Sequence, residues 1–319
     1  MEDARARRHV GLDLGGTYIK WVVVERDRDE WRPLDRGQAT TPAEDGPDAV
    51  VASLIAVGHE ATDRWPGATS IGVGVPGLYD PARGTARFFV NIPGAWDGKP
   101  IAGPISAALD LPAFLINDAR AFGLAELRLG AGRGAASIVG VTLGTGVGGV
   151  IAVDGRVHQG HDGTGGELGH QTIEPDGPPC GCGNRGCLEA FARADRIAEA
   201  CGTRTLEDAV AQARAGDARA TEGLARVARY LGIGLANMVV VITPDRIVIG
   251  GGGAPALDLL IEPIRAELRR RVHVTSLDGV EIVAAELGTW AGAIGAAVHG
   301  AEQADLIGRT SARAAVGAP

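Results

Sequence analysis

The chain has 319 residues, 45% hydrophobic and 22% charged, with a formal net charge of −8 at pH 7. That length allows one large domain or two medium ones, and the composition is that of an ordinary globular protein. The acidic balance argues against a general nucleic-acid binder. No apolar stretch precedes Val10, which argues against a secretory leader, and no continuous run approaches the ~18 apolar residues of a membrane span. The expected setting is therefore cytoplasmic, with no membrane and no nucleic acid as partner. Aromatics make up only 4% while glycine occurs 49 times, which predicts a core of Ala, Val and Leu with many tight turns. Arg5, Arg7 and Arg8 read as a solvated tail. Only Lys20 and Lys99 are lysine among 31 basic residues, which reads as compositional bias.

In chain order, residues 9–14 (HVGLDL) predict a strand, Gly15-Gly16-Thr17 a turn, and 18–25 a second strand. A helix is expected over 47–65 and a buried strand over 70–75, stopping at Pro76-Gly77. Residues 80–100 read as loop-rich, 101–110 as helix, 113–116 as a short strand ending at Asn117-Asp118, and 119–129 as helix. A second unit then repeats the opening layout: strand 136–143, a glycine turn over 144–149, and a return strand 150–153. That repetition suggests two related α/β halves with a cleft between them. Residues 188–236 read as mostly helical, 245–249 as a strand running into Gly250–Gly253, 255–271 as helix, 280–285 as strand and 290–300 as a small-residue helix. Residues 303–319 lack periodicity and read as a frayed tail.

The DLGGT segment sets a carboxylate beside a glycine turn. Glycines let phosphate oxygens approach backbone N–H groups, Asp13 can hold Mg²⁺ directly or through water, and Thr17 can bond a phosphate oxygen. The same residues also suit a plain glycine hairpin. Residues 143–149 (LGTGVGG) resemble a dinucleotide fingerprint, but such a loop must lead into a helix, and these glycines lead into a strand. A second phosphate-binding hairpin fits better, and no GxxxxGK[ST] sequence occurs. The glycines at 250–253 suit either a nucleotide's adenosine or a tight strand–helix turn. Asp118 suits either a general base or the cap of the following helix.

Three of four cysteines, Cys180, Cys182 and Cys187, fall within eight residues, with glycines between them. Three thiolates and one imidazole complete a closed tetrahedral zinc site, structural because no position is left for water. Without a secretory setting a stable disulfide is not expected. For the fourth ligand His170 stands ten residues before the first cysteine, with His158, His161 and Cys201 as alternatives. Glu167 and Glu189 flank the knot, so a metal there would fix two acids and an imidazole, which suits a polyhydroxyl ligand.

Together these motifs resemble the ROK family of sugar kinases, from Asp13 to about Gly300. The family's DxGGTxxK start matches Asp13–Lys20, its sugar loop Asn91–Trp96, its catalytic ND Asn117-Asp118, its second phosphate motif Leu143–Gly149, and its E-x-G-H…C-x-C-G-x2-G-C-x-E signature Glu167–Glu189. The resemblance implies an α/β, two-domain actin-like (ribonuclease H-like) fold with a cleft between domains. The expected division is an N-terminal domain over 1–118 and a C-terminal domain over 119–319 that holds the zinc knot, with the last helix returning to the first domain. It implies hexose binding by Asn91, Asn117, Asp118, Glu167, His170 and Glu189, with Asp118 as general base. It implies ATP and Mg²⁺ at Asp13, Gly15, Gly16, Thr17, Lys20, Gly144, Thr145, Gly146, Gly251 and Gly252, and structural zinc on His170, Cys180, Cys182 and Cys187. Homodimers or homotetramers are common in the family. Two departures stand out: Arg120 replaces the family's Asn two residues after the catalytic Asp, and the sugar loop Pro93-Gly94-Ala95-Trp96 is one residue longer than usual.

The resemblance points to an ATP-dependent hexose kinase acting on the 6-hydroxyl of glucose, with fructose, mannose or an N-acetylhexosamine as alternatives. Polyphosphate-using relatives tend to lack the cysteine knot, which favours ATP as donor. A sugar-sensing regulator needs a helix-turn-helix domain ahead of the DxGGT motif, and twelve residues precede Asp13. A non-catalytic sugar-binding protein is disfavoured by Asp13, Thr17 and Asp118 occurring together.

Overall fold

The computed structural model describes residues 6–253 and 256–316. Along them run β1 (Arg7–Leu14), β2 (Tyr18–Asp27), β3 (Glu30–Thr40), α1 (Pro47–Arg64), β4 (Ala68–Val75), β5 (Gly77–Asp80), β6 (Thr85–Phe89), α2 (Ala102–Leu109), β7 (Ala113–Asn117) and α3 (Asp118–Leu129). There follow β8 (Ile138–Leu143), β9 (Val147–Val153), β10 (Arg156–Val157), α4 (Glu189–Ala192), α5 (Ala194–Cys201), α6 (Leu206–Arg214), α7 (Ala218–Ile242), β11 (Arg246–Gly251), α8 (Leu257–Arg271), β12 (Glu281–Ala284) and α9 (Ala291–Val316). By packing, the described residues divide into two units. The first takes those within Met1–Leu129, Gln159–Thr164 and Thr289–Pro319, the second those within Gly130–His158 and Gly165–Gly288.

Each unit is built on a five-stranded sheet, ordered β3-β2-β1-β4-β7 in the first and β10-β9-β8-β11-β12 in the second. In both, an antiparallel three-strand meander opens the unit, and two further strands lie parallel to its first strand. The repeated layout read from the two glycine hairpins is thus a repeated sheet topology. Side chains alternate across a strand. On one face of the first sheet Val10, Leu12 and Leu14 share a core with Val50, Leu54 and Val57 of α1. The other face meets α9 at backbone distance. A Cβ added at Gly11 would stand 1.8 Å from the Ala293 carbonyl oxygen, and one at Gly72 would stand 1.7 Å from that of Ala296. The small residues of 290–300 exist for this approach, since any side chain at Gly11 or Gly72 would lift the helix off the sheet.

Four expectations need correction. The tail expected to fray continues α9 to Val316, because Arg128 donates to Glu302 at 2.7 Å and Arg26 to Asp305 at 2.7 Å; residues 317–319 lie outside the described residues. Arg7 and Arg8 are not tail but the first residues of β1, while Arg5 lies outside the described residues. β3 was not expected, since it has no apolar face and carries Pro33 beside a register shift, as suits an edge strand. The segment 80–100 contains β6, which pairs with β5 as a hairpin. Elsewhere the expected elements form within a few residues; the helix expected from Pro255 is α8, and Pro255 itself lies outside the described residues.

In the second unit Leu224, Val227, Leu231, Leu235 and Val239 of α7 meet Val139, Val141, Ile247 and Ile249 of the sheet and Leu260, Ile264 and Leu268 of α8. Among the described residues α7 alone is long and apolar enough to cross a membrane, but these apolar positions form the unit's core.

Two histidines of the first unit enter the fold uncharged. Burial and the charges of Arg26 and Arg7 push His9 down to about 4 against the pull of Asp305, and its Nδ1 shares a hydrogen bond with the Ser70 hydroxyl at 2.8 Å. Burial likewise pushes His299 down to about 4. Unfolded, each titrates near 6.5. Between about 4 and 6.5 the unfolded chain therefore binds more protons than the folded one, so stability is complete above that window and falls as pH drops through it. The loss reaches on the order of 3 kcal/mol per histidine by pH 4. Urea unfolding at pH 7.5 and 5.0 should show about 2 kcal/mol of this loss per histidine, and His299→Gln should flatten the slope by close to one proton. An unchanged slope in that variant contradicts the assignment.

Candidate active site

β1, β4 and β7 run parallel, so their C-terminal ends share one edge of the sheet, the edge where open α/β sheets collect ligand groups. Asp13 and the glycine turn leave β1 there, and Asn117 leaves β7. Asp13 lies opposite Lys20 in the β1–β2 register, and the Lys20 ammonium donates to the Thr289 carbonyl at 3.0 Å. Burial, and then the charge of Asp118, push the Asp13 carboxyl up to about 6, with Lys20 opposing. Gly292, at the start of α9, backs this carboxylate: a Cβ there would stand 2.6 Å from its Oδ2. Thr41 clasps the turn, its hydroxyl donating to the Gly15 carbonyl at 2.7 Å and its N–H to the Thr17 carbonyl at 2.9 Å. Gly16 is pressed by the loop at 91–96, since a Cβ would lie 2.9 Å from the Asn91 carbonyl oxygen. Within that loop Trp96 is buried, and its indole N–H donates to the Ile92 carbonyl at 2.9 Å. Asn91 itself is exposed, as is Thr17.

At the head of α3 the cap role open to Asp118 in the sequence falls on its neighbour Asn117. Asn117 caps the helix, its Oδ1 accepting from the N–H groups of Ala119 at 3.0 Å and Arg120 at 3.2 Å. Its Nδ2 donates to the Gly77 carbonyl at 3.3 Å, so the side chain is committed to backbone and buried. Asp118 accepts from Ala119 N–H at 2.7 Å and is exposed. Arg120 is buried one turn in, where its charge opposes the rise that burial imposes on the Tyr79 hydroxyl.

In the second unit β8 and β11 also run parallel, pairing Gly250 with Thr142 and Gly251 with Leu143. The Gly144–Gly146 turn and the glycines after β11 therefore stand side by side, and Gly253 N–H donates to the Leu143 carbonyl at 3.2 Å. Gly251 sits at φ +71°, where only glycine is unstrained. The turn after β8 leads into β9, a strand, as the rejection of a dinucleotide loop requires. Thr145 is exposed. Glu189, at the start of α4, accepts from Val147 N–H at 2.9 Å, and the same Oε2 lies 2.6 Å from a Cβ placed on Gly146.

Its Oε1 faces the Cys180 sulfur at 3.7 Å. Around that sulfur the ligand atoms of His170, Cys180, Cys182 and Cys187 all lie within 4.8 Å of one another. Cys180 Sγ is 3.6 Å from His170 Nδ1, and Cys182 Sγ is 3.7 Å from Cys187 Sγ. A tetrahedral ion with bonds of about 2.3 Å spaces its sulfurs by roughly 3.8 Å, so the donor set fits zinc. Burial, with hydrogen bonds from Cys182 and Cys180, pushes the Cys187 thiol up to about 12, so its thiolate needs a cation beside it. The knot curls through Gly183 at φ +91° and through Gly186, where a Cβ would strike the Glu174 carbonyl at 1.6 Å. His170 closes a 3-10 turn pressed on β9, with Gly169 against the Val147 carbonyl. Cys201 lies elsewhere, its thiol on the Ala220 carbonyl at 3.4 Å, and neither His158 nor His161 joins the cluster. Glu167 precedes the 3-10 turn and is exposed.

Thr41 and Gly292 were missed in the sequence: each acts on a motif distant in the chain, and neither belongs to a pattern of its own. The Glu189 link invites a direct check. Glu189→Ala should cost about 1.5 kcal/mol, the lower range for a hydrogen bond to a charged acceptor because Glu189 is half-buried. Glu189→Gln, which keeps an acceptor, should recover most of it in the same urea titration. Equal losses in both variants contradict the link.

The ROK family profile matches residues 9–302. A glucokinase of Halalkalibacterium halodurans is 34% identical over 316 residues, covering 91% of this chain and 93% of that protein. Among solved structures, a ROK hexokinase from Thermus thermophilus superposes with a TM-score of 0.81 at 36% identity, covering 93% of this chain and 99% of the other. A ROK family glucokinase from Streptomyces griseus, in complex with glucose and AMPPNP, does so with a TM-score of 0.77 at 29% identity, covering 92% and 99%. The two repeated sheets, the paired glycine turns and the His–Cys cluster thus stand on a fold shared with these kinases, and the chain belongs to the ROK family.

Proposed function

We propose that the chain is an ATP-dependent hexose kinase that phosphorylates the 6-hydroxyl of glucose. The observation that carries this reading is the exposed Asp118 carboxylate, near enough to Asp13 to raise its pKa, on the strand-end edge that also holds the glycine turn. Asp118 accepts the proton of the sugar hydroxyl as that oxygen bonds the γ-phosphorus of ATP and the bridging P–O bond to ADP breaks. The turns at Gly15–Gly16 and Gly144–Gly146 offer N–H groups to phosphate oxygens, with Thr17 and Thr145 hydroxyls beside them. Gly251 and Gly252 offer flat backbone to the adenosine. Asp13 would hold Mg²⁺, whose charge supplies electrostatic stabilisation of the transferring phosphoryl group, and Lys20 steadies that carboxylate.

The hexose contacts assigned by this reading are Asn91, Asn117, Asp118, Glu167, His170 and Glu189. Asn117 serves chiefly through its cap, which sets the start of α3. His170, Cys180, Cys182 and Cys187 would hold zinc, which leaves His170 Nε2 for a sugar hydroxyl. The Streptomyces griseus relative binds glucose and AMPPNP, which supports the choice of sugar and donor. A cytoplasmic setting, where thiols stay reduced, belongs to the same proposal.

ADP release from Mg-ATP should be strongest with glucose in a panel with mannose, fructose, N-acetylglucosamine and N-acetylmannosamine. Asp118→Asn should lower kcat by about 10²–10⁴-fold with glucose affinity retained. Preference for another sugar would move the assignment to a fructokinase, mannokinase or N-acetylhexosamine kinase. Full turnover in Asp118→Asn would contradict the base.

A further inference from the structure

The second unit contains a cavity of about 580 Å³ that the kinase reading leaves without a task. It lies between α4–α5 and the first half of α7. Phe191 of α4 stacks on Tyr230 of α7, with ring centroids 4.1 Å apart and planes 21° apart. Arg219, Glu222, Arg226 and Tyr230 all line the cavity, and their spacings of three, four and four residues place them on one face of α7. Arg196 lines it from α5. Its Nη1 donates to Glu199 at 2.7 Å, whereas its Nε is shut off from solvent with no hydrogen-bond partner.

Arg219 and Arg226 form no ion pair among the described residues. Three guanidinium groups thus border one concave site, and the carboxylate of Glu199 is already engaged with Arg196. Guanidinium forks match the oxygens of a phosphate. The stacked aromatic pair adds an apolar wall for a carbon body. The volume is that of an ordinary small-ligand pocket.

We propose that this cavity binds a phosphate monoester carried on a small organic body, of the size of a hexose phosphate or a nucleoside monophosphate. The arginines hold the phosphate and the Phe191–Tyr230 pair meets the organic part. Phe191 lies two residues after Glu189 in α4, so a ligand resting on it bears on the carboxylate that holds the Val147 N–H.

The test is calorimetric titration of the full-length, zinc-loaded protein with glucose 6-phosphate, AMP and inorganic phosphate. Because a kinase site itself takes phosphate ligands, wild type is compared with Arg219→Ala/Arg226→Ala. Wild type should take up one more equivalent of ester than the double variant. Arg226→Lys, which loses the fork, should weaken that component about tenfold. Both arginines are exposed, so the fold should survive, as circular dichroism checks. Independently, Glu222→Gln removes a rim carboxylate and should tighten the ester several-fold. Identical titrations in wild type and double variant overturn the site. Inorganic phosphate binding there as tightly as both esters overturns the role given to the aromatic wall. Turnover of the double variant with ATP and glucose should match wild type, and the titration result stands or falls apart from the kinase reading.

Discussion

One carboxylate joins the glycine turn of the second unit to its cysteine knot. Glu189 reaches in two directions, to the Val147 N–H at the root of the glycine turn and to the sulfur of Cys180. Gly146 must be bare for the first contact, and the knot must be closed for the second. A cluster of three sulfurs and an imidazole is poor cement without a cation, because burial keeps a thiol such as Cys187 protonated. With a divalent ion the same four groups become a rigid node. The node then holds His170 on its 3-10 turn and Glu189 at the head of α4. A structural metal in this position would act by orientation.

In the first unit close packing does the positioning. α9 lies on the sheet at backbone distance through Gly11 and Gly72, and Gly292 at its start backs the Asp13 carboxylate. A carboxyl held near the middle of its range, at about 6, is poised to change with its surroundings. A cation at Asp13 would favour its anion, and Lys20 opposite already leans that way. Packing distance and site electrostatics are here one constraint, since whatever moves α9 moves the wall of Asp13.

The legible part of this molecule was the part written in local pattern. Both glycine hairpins, the long helices and the cysteine cluster could be read because apolar period, turn residues and ligand spacing lie within a few residues of one another. β3 escaped because its Glu30–Thr40 sequence has no apolar face, and the end of α9 escaped because its steadying contacts come from Arg26 and Arg128, far back in the chain. The same holds at the site. Asp118 stood out by motif, but that Asn117 takes the helix cap is a matter of side-chain direction. Thr41 on the first turn and Gly292 behind Asp13 join residues separated by tens to hundreds of positions, which no local pattern records.

The most direct measurement on this account is zinc K-edge X-ray absorption of the purified protein, with metal content determined on the same sample. The account predicts one zinc per chain in a four-coordinate shell of three sulfurs near ~2.3 Å and one nitrogen near ~2.0 Å. A Cys182→Ser variant should lose one sulfur from that shell. Protein that folds and stays metal-free in zinc-supplemented medium would contradict the claim that an ion orders the knot and, through it, Glu189 and His170.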